Sequence, residues 1–91
     1  MQAGGGVPYD CAVPRLEFTI EPFVEGRPGP HVTAPIDALV ALGIEVEVGP
    51  FGTGCTVDAS RSAEVVAIIV EQSLGHGASH VNIDVTAEDA P

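Results

Sequence analysis

IEVEVGPFGTGCTVD, residues 44–58, is the stretch on which the fold turns. Ile44, Val46 and Val48 alternate with Glu45 and Glu47, the period of a strand with one buried and one wet face. Gly49-Pro50-Phe51-Gly52 then supplies turn chemistry, proline fixing one φ while the glycines accept conformations closed to other residues. Thr53 to Val57 resumes the alternation, with Cys55 and Val57 apolar and Gly54 and Thr56 small or polar. The reading is an antiparallel hairpin. Two strands alone are barely stable in water, so others must complete the sheet.

Upstream, Leu16, Phe18 and Ile20 alternate with Arg15, Glu17, Thr19 and Glu21, a strand that Pro22 ends. Residues 25–30, EGRPGP, form a loop by composition. A short helix follows, with Thr33 as expected N-cap, Pro35 in its first turn and Gly43 at its C-terminal stop. Its apolar stripe is Val32, Ile36, Leu39 and Gly43. Downstream, Asp58 or Ser60 opens a second helix that runs to about Leu74, where Gly75 and Gly77 stop it. Residues 65–70, VVAIIV, are β-branched enough to suit a buried strand, but the length of the run and the flanking Ser and Gly favour a helix. Val81, Ile83 and Val85 alternate with His80, Asn82, Asp84 and Thr86 in a last strand.

The order βαββαβ predicts an α+β fold, a ferredoxin-like sandwich: a four-stranded antiparallel sheet with two helices on one face and the first strand central, flanked by the third and fourth. Residues 15–87 make this domain, 1–14 a glycine-rich flexible leader and 88–91 a tail.

With 91 residues the chain has room for one small core. Three arginines, no lysine and 13 acidic residues give a net charge of -10, which disfavours nucleic acid and anionic lipid surfaces as partners. No charged segment followed by an apolar one opens the chain and no run is long enough to span a bilayer, so Cys11 and Cys55 are expected as free thiols in a soluble, cytoplasmic protein. No Ser/His/Asp or Cys/His arrangement is suggested, and paired acids on an open sheet lack the desolvation a general acid needs. An enzyme is not expected, nor a cofactor. His76 and His80 have zinc-like spacing, but the glycines around His76 argue against a continuing helix and no fourth ligand is in view, so no metal site is expected.

The sheet face away from the helices would carry Glu17, Thr19 and Glu21 beside Thr56, Asn82 and Asp84, with Glu45 and Glu47 further out. Such a face is either a solvated or oligomer-facing surface or a site for a cation, since crowded carboxylates repel until something positive neutralises them. One end of the sheet should also gather Phe23, Phe51, Thr53, His31 and His80, where two aromatic rings could sandwich a flat heterocycle; taken singly, Phe51 is better read as a plug at the end of the core and Phe23 as lying under the following loop.

The chain resembles the YkoF-like family of thiamine-binding proteins. The resemblance rests on Glu17-Phe18-Thr19-Ile20-Glu21-Pro22, on Val46-Glu47-Val48-Gly49-Pro50-Phe51-Gly52-Thr53 and on the strand from His80 to Asp84, and spans roughly Leu16 to Thr86. It implies a non-enzymatic domain that holds thiamine or its hydroxymethylpyrimidine portion, often as a homo-oligomer packed through sheets. On that expectation Glu17, Glu21 and Asp84 attract the ligand, Thr19, Thr53 and Asn82 orient it, and Phe23 or Phe51 contacts its ring. The alternative from another class is an oligomerisation module that meets a protein partner through the acidic face.

Overall fold

Strand β1 (Arg15–Glu21) buries Leu16, Phe18 and Ile20 and exposes Glu17, Thr19 and Glu21, as its alternation asks. The structure, a computed structural model, describes residues 13–22, 28–49 and 52–87. After β1 come helix α1 (Pro30–Ala41), strands β2 (Val46–Val48) and β3 (Thr53–Thr56), a 3-10 turn at Ala59–Arg61, helix α2 (Ser62–Gly75) and strand β4 (His80–Thr86). The four strands form one antiparallel sheet in the order β2-β3-β1-β4. This is the ferredoxin-like α+β arrangement, and Val65 to Val70 lie in α2 rather than in the sheet.

One apolar layer holds sheet and helices together. Leu16, Phe18 and Ile20 of β1 and Cys55 of β3 meet Leu39 of α1 and Val65 and Ile69 of α2, with Ile44 and Val57 closing the ends. Each such side chain taken out of water contributes about 1.5–3 kcal/mol, so β1, with three of them, is the main anchor of the sheet. Coverage thins towards both edges: Val48 on β2 is 70% exposed and Val85 on β4 53%.

Helix α1 begins earlier than the residue types suggest. Gly29, not Thr33, is its N-cap, and the Gly29 carbonyl accepts hydrogen bonds from the Val32 and Thr33 amides. Pro30 takes the first helical position, where its missing N–H costs nothing, and Pro35 therefore falls inside the helix. The buried stripe is His31, Pro35 and Leu39, with Val32 and Ile36 half-buried beside it. Both helices end alike: Gly43 and Gly77 adopt φ of 82° and 100°, and Ile44 and Ala78 amides bond back to Leu39 and Ser73 carbonyls. That is the Schellman stop, which needs a left-handed residue that glycine supplies without strain. Gly75 stays within α2.

Pro14, placed in the leader by composition, is buried, and its carbonyl accepts the Val57 amide. Residues 1–12, the tail 88–91 and the aromatic pair Phe23 and Phe51 lie outside the described residues.

Candidate functional site

Strand register places a row of four residues across the sheet on the side without helices. Asp84 of β4 stands opposite Glu17 of β1, Glu17 opposite Gly54 of β3, and Gly54 opposite Glu47 of β2. Three carboxylates thus line up across all four strands, interrupted by a position with no side chain. Two residues further along, Asn82 stands opposite Thr19. Beside Thr19 lies Gly52, where a Cβ would come within 3.2 Å of the Phe18 carbonyl oxygen and the Thr19 methyl group.

The two glycines make a depression. A groove of about 460 Å³ runs along β3, with Gly52 and Gly54 as its floor, Glu17, Thr19, Asn82 and Asp84 on one side and Glu47 on the other. Ligand sites commonly measure about 300–1,000 Å³, so the volume suits a small heterocycle. A single sheet supplies only one wall.

Arg15 changes the electrostatics that composition suggested. It shares the bare face with Glu17, and its guanidinium leans over Gly54, where a Cβ would lie 2.6 Å from Nη2. Nη2 donates to Glu47 Oε1 at 2.8 Å, Nη1 to Thr56 Oγ1 at 3.4 Å, and Nε lies 3.8 Å from Glu17 Oε2. One guanidinium therefore stands among the three carboxylates Glu17, Glu47 and Asp84 of the groove lining, which stays negative. Among the described residues no ion pair reaches Asp84. Beneath the floor, burial pushes the Cys55 thiol up from its ordinary value, and the charge of Arg15 offsets part of that rise.

Of the residues expected at the site, Glu17, Thr19, Asn82, Asp84 and Thr53 border this groove. Thr53 differs from the rest. It pairs with Phe18, which puts it in register with the core side, and it is 8% exposed. Glu21 ends β1 opposite His80, on the bare face but outside the groove lining. Glu45 borders a separate cavity of about 310 Å³ at the other end of the sheet, with Asp58 and Arg61. His31 and His80 both lie at the end of β1, one against Pro22 and the other opposite Glu21, but on different layers. His31 is buried on α1, where its Nε2–H donates to the Pro22 carbonyl at 2.6 Å, while His80 is exposed on the sheet. His76 caps the end of α2 and its Nδ1–H donates to the Gln72 carbonyl at 2.8 Å. Among the described residues no group of three or more His, Cys, Asp or Glu is placed to hold a metal ion.

The fold is shared with a solved structure. It aligns with a TM-score of 0.63 to a domain of unknown function, DUF77, from Bacillus cereus, over 90% of this chain and 81% of that one. Sequence identity is 18%, so the likeness shows the fold alone. No family model matches the chain, and no curated protein matches it. Among the described residues no helix is long and apolar enough to cross a membrane.

Sequence reasoning passed over Arg15, Gly52 and Gly54. The signal was present: Gly54 and Thr56 fall between the buried positions Cys55 and Val57, so two steps of parity place a side-chain gap beside Glu17. Gly52-Thr53-Gly54 is too short to cradle phosphate, and its glycines instead leave the floor bare.

Proposed function

We propose that this is a non-enzymatic domain that binds thiamine or its hydroxymethylpyrimidine moiety reversibly, as carrier, buffer or sensor, in the groove between β1 and β2. The observation that carries the reading is the glycine-floored groove on the side of the sheet without helices, with a net negative lining and an Asp84 that no ion pair reaches among the described residues. A flat cation fits both features, the glycines giving it depth and the carboxylates compensating its charge. The resemblance of β1, the hairpin and β4 to the YkoF-like thiamine-binding family supports the same ligand. Because the groove has one wall, a second copy of the sheet would supply the other, which makes the bound form a homo-oligomer.

Calorimetric titration of thiamine at low salt tests the reading. Saturable heat together with a raised melting temperature at millimolar ligand is the expected outcome. Absence of both overturns it and leaves the second reading, an oligomerisation module without a vitamin ligand. That alternative draws on the exposed Val48 and Val85 at the two sheet edges. A sedimentation experiment on the ligand-free chain would then show a concentration-dependent assembly.

A further inference from the structure

Among the described residues, the Arg15 guanidinium meets side chains of three strands: Glu17 on β1, Thr56 on β3 and Glu47 on β2. These partners surround Gly54, over which the guanidinium lies, with the site of a Cβ 2.6 Å from Nη2 and 3.2 Å from Cζ. A guanidinium donates within its own plane. Acceptors spread along the sheet surface therefore hold that plane roughly along the sheet, and a side chain at position 54 would lift it. Arg15 also lines the groove, with its side chain 30% exposed.

We propose that Arg15 is the stacking shelf of the groove and fixes which ring of the ligand goes where. The inference rests on the groove being the ligand site proposed above. Guanidinium planes stack on aromatic faces, and the attraction is to electron-rich, uncharged rings. A neutral aminopyrimidine accordingly settles over Arg15, whereas a thiazolium there would face a like charge. Neighbouring strands lie about 4.8 Å apart, so a second ring joined through one methylene reaches from β3 to β1. It arrives between Glu17 and Asp84, the carboxylates best placed to meet a cation. The specificity is for a two-headed ligand, one head flat and neutral, the other cationic.

The test titrates 4-amino-5-hydroxymethyl-2-methylpyrimidine and a thiazolium salt separately into the full chain and into Arg15→Lys, which keeps the charge but loses the planar fork. The pyrimidine should bind about fivefold more weakly to Arg15→Lys, while the thiazolium changes less than twofold. In the unaltered protein, ring-current shifts of the Arg15 side-chain protons should appear when the pyrimidine is added, a readout that needs no variant. Equal pyrimidine affinity for both proteins, or no shift at Arg15, overturns the shelf even where thiamine itself binds. If thiamine fails to bind but the pyrimidine binds through Arg15, the shelf stands and the thiamine reading falls. Failure of both fragments to bind the unaltered chain removes both.

Discussion

Glu17 of β1 and Asp84 of β4 stand directly opposite one another on the bare face of the sheet, two carboxylates in one cross-strand pair. Like charges so placed oppose folding by about 0.2–1 kcal/mol. Arg15 lies on the far side of Glu17, towards Glu47, and leaves Asp84 without a counter-charge among the described residues. A positive charge placed beside such a pair would relieve the repulsion.

Asp84→Asn separates that repulsion from ligand binding. Relief of the pair should raise stability by a few tenths of a kcal/mol at low salt, and added salt should erase the gain by screening. The same substitution should weaken thiamine binding several-fold. Urea denaturation at two salt concentrations, together with calorimetry, measures both. Unchanged thiamine affinity would move the cation elsewhere on the chain.

Gly54→Ala probes the floor of the groove. The new methyl group would stand 2.6 Å from Arg15 Nη2, closer than real contacts allow, so the guanidinium must swing away. It is the far end of a long, flexible side chain, and the ion pairs it gives up are partly exposed and worth little. Alanine in a strand also recovers about 0.5–1 kcal/mol relative to glycine. Net stability should move by less than about 1 kcal/mol in either direction, while ligand affinity falls at least tenfold. A large loss of stability with affinity preserved would show that Gly54 serves the ladder and not the groove.

Much of this was legible in the residue order. Strand β1 alternates without a break because each inward residue meets the helices and each outward one meets water, so its faces follow from parity alone. The same parity joins Glu17 and Thr19 to Asn82 and Asp84, and applied to β3 it places Thr53 with Cys55 on the inner side. The start of α1 was not legible: Thr33 is a better capping type than Gly29, but burying His31 and Pro35 favours a frame that begins at Pro30. Arg15 escaped notice for another reason. A strongly acidic composition draws attention to carboxylates, and only the diagonal reach across a missing side chain shows that one cation compensates two of them.

Ser73 marks a local inconsistency in α2. Its side chain is completely buried, and among the described residues its hydroxyl has no hydrogen-bond partner. An orphaned buried hydroxyl costs about 1–3 kcal/mol, and alanine is also the better helix former. Ser73→Ala should therefore stabilise the protein by roughly 1 kcal/mol, seen as a higher urea midpoint with an unchanged slope. A lower midpoint would mean that the hydroxyl contributes contacts that outweigh its desolvation.

Cys55 gives the fold a pH limit on the alkaline side. Burial raises its thiol above the ordinary value of 9.0, and the positive charge of Arg15 pulls it part of the way back. In the unfolded chain the thiol ionises near its ordinary value; in the native state it holds its proton to higher pH. The stability this represents is fully present below about pH 9 and is lost as pH rises from there through the native value. Urea midpoints from pH 7 to pH 10 should fall more steeply for the unaltered chain than for Cys55→Ala, the difference isolating this one thiol. Arg15→Met should deepen the alkaline loss, because removing the cation raises the native value further. Parallel pH curves for the unaltered chain and Cys55→Ala would show that the thiolate is accommodated in the fold as readily as outside it.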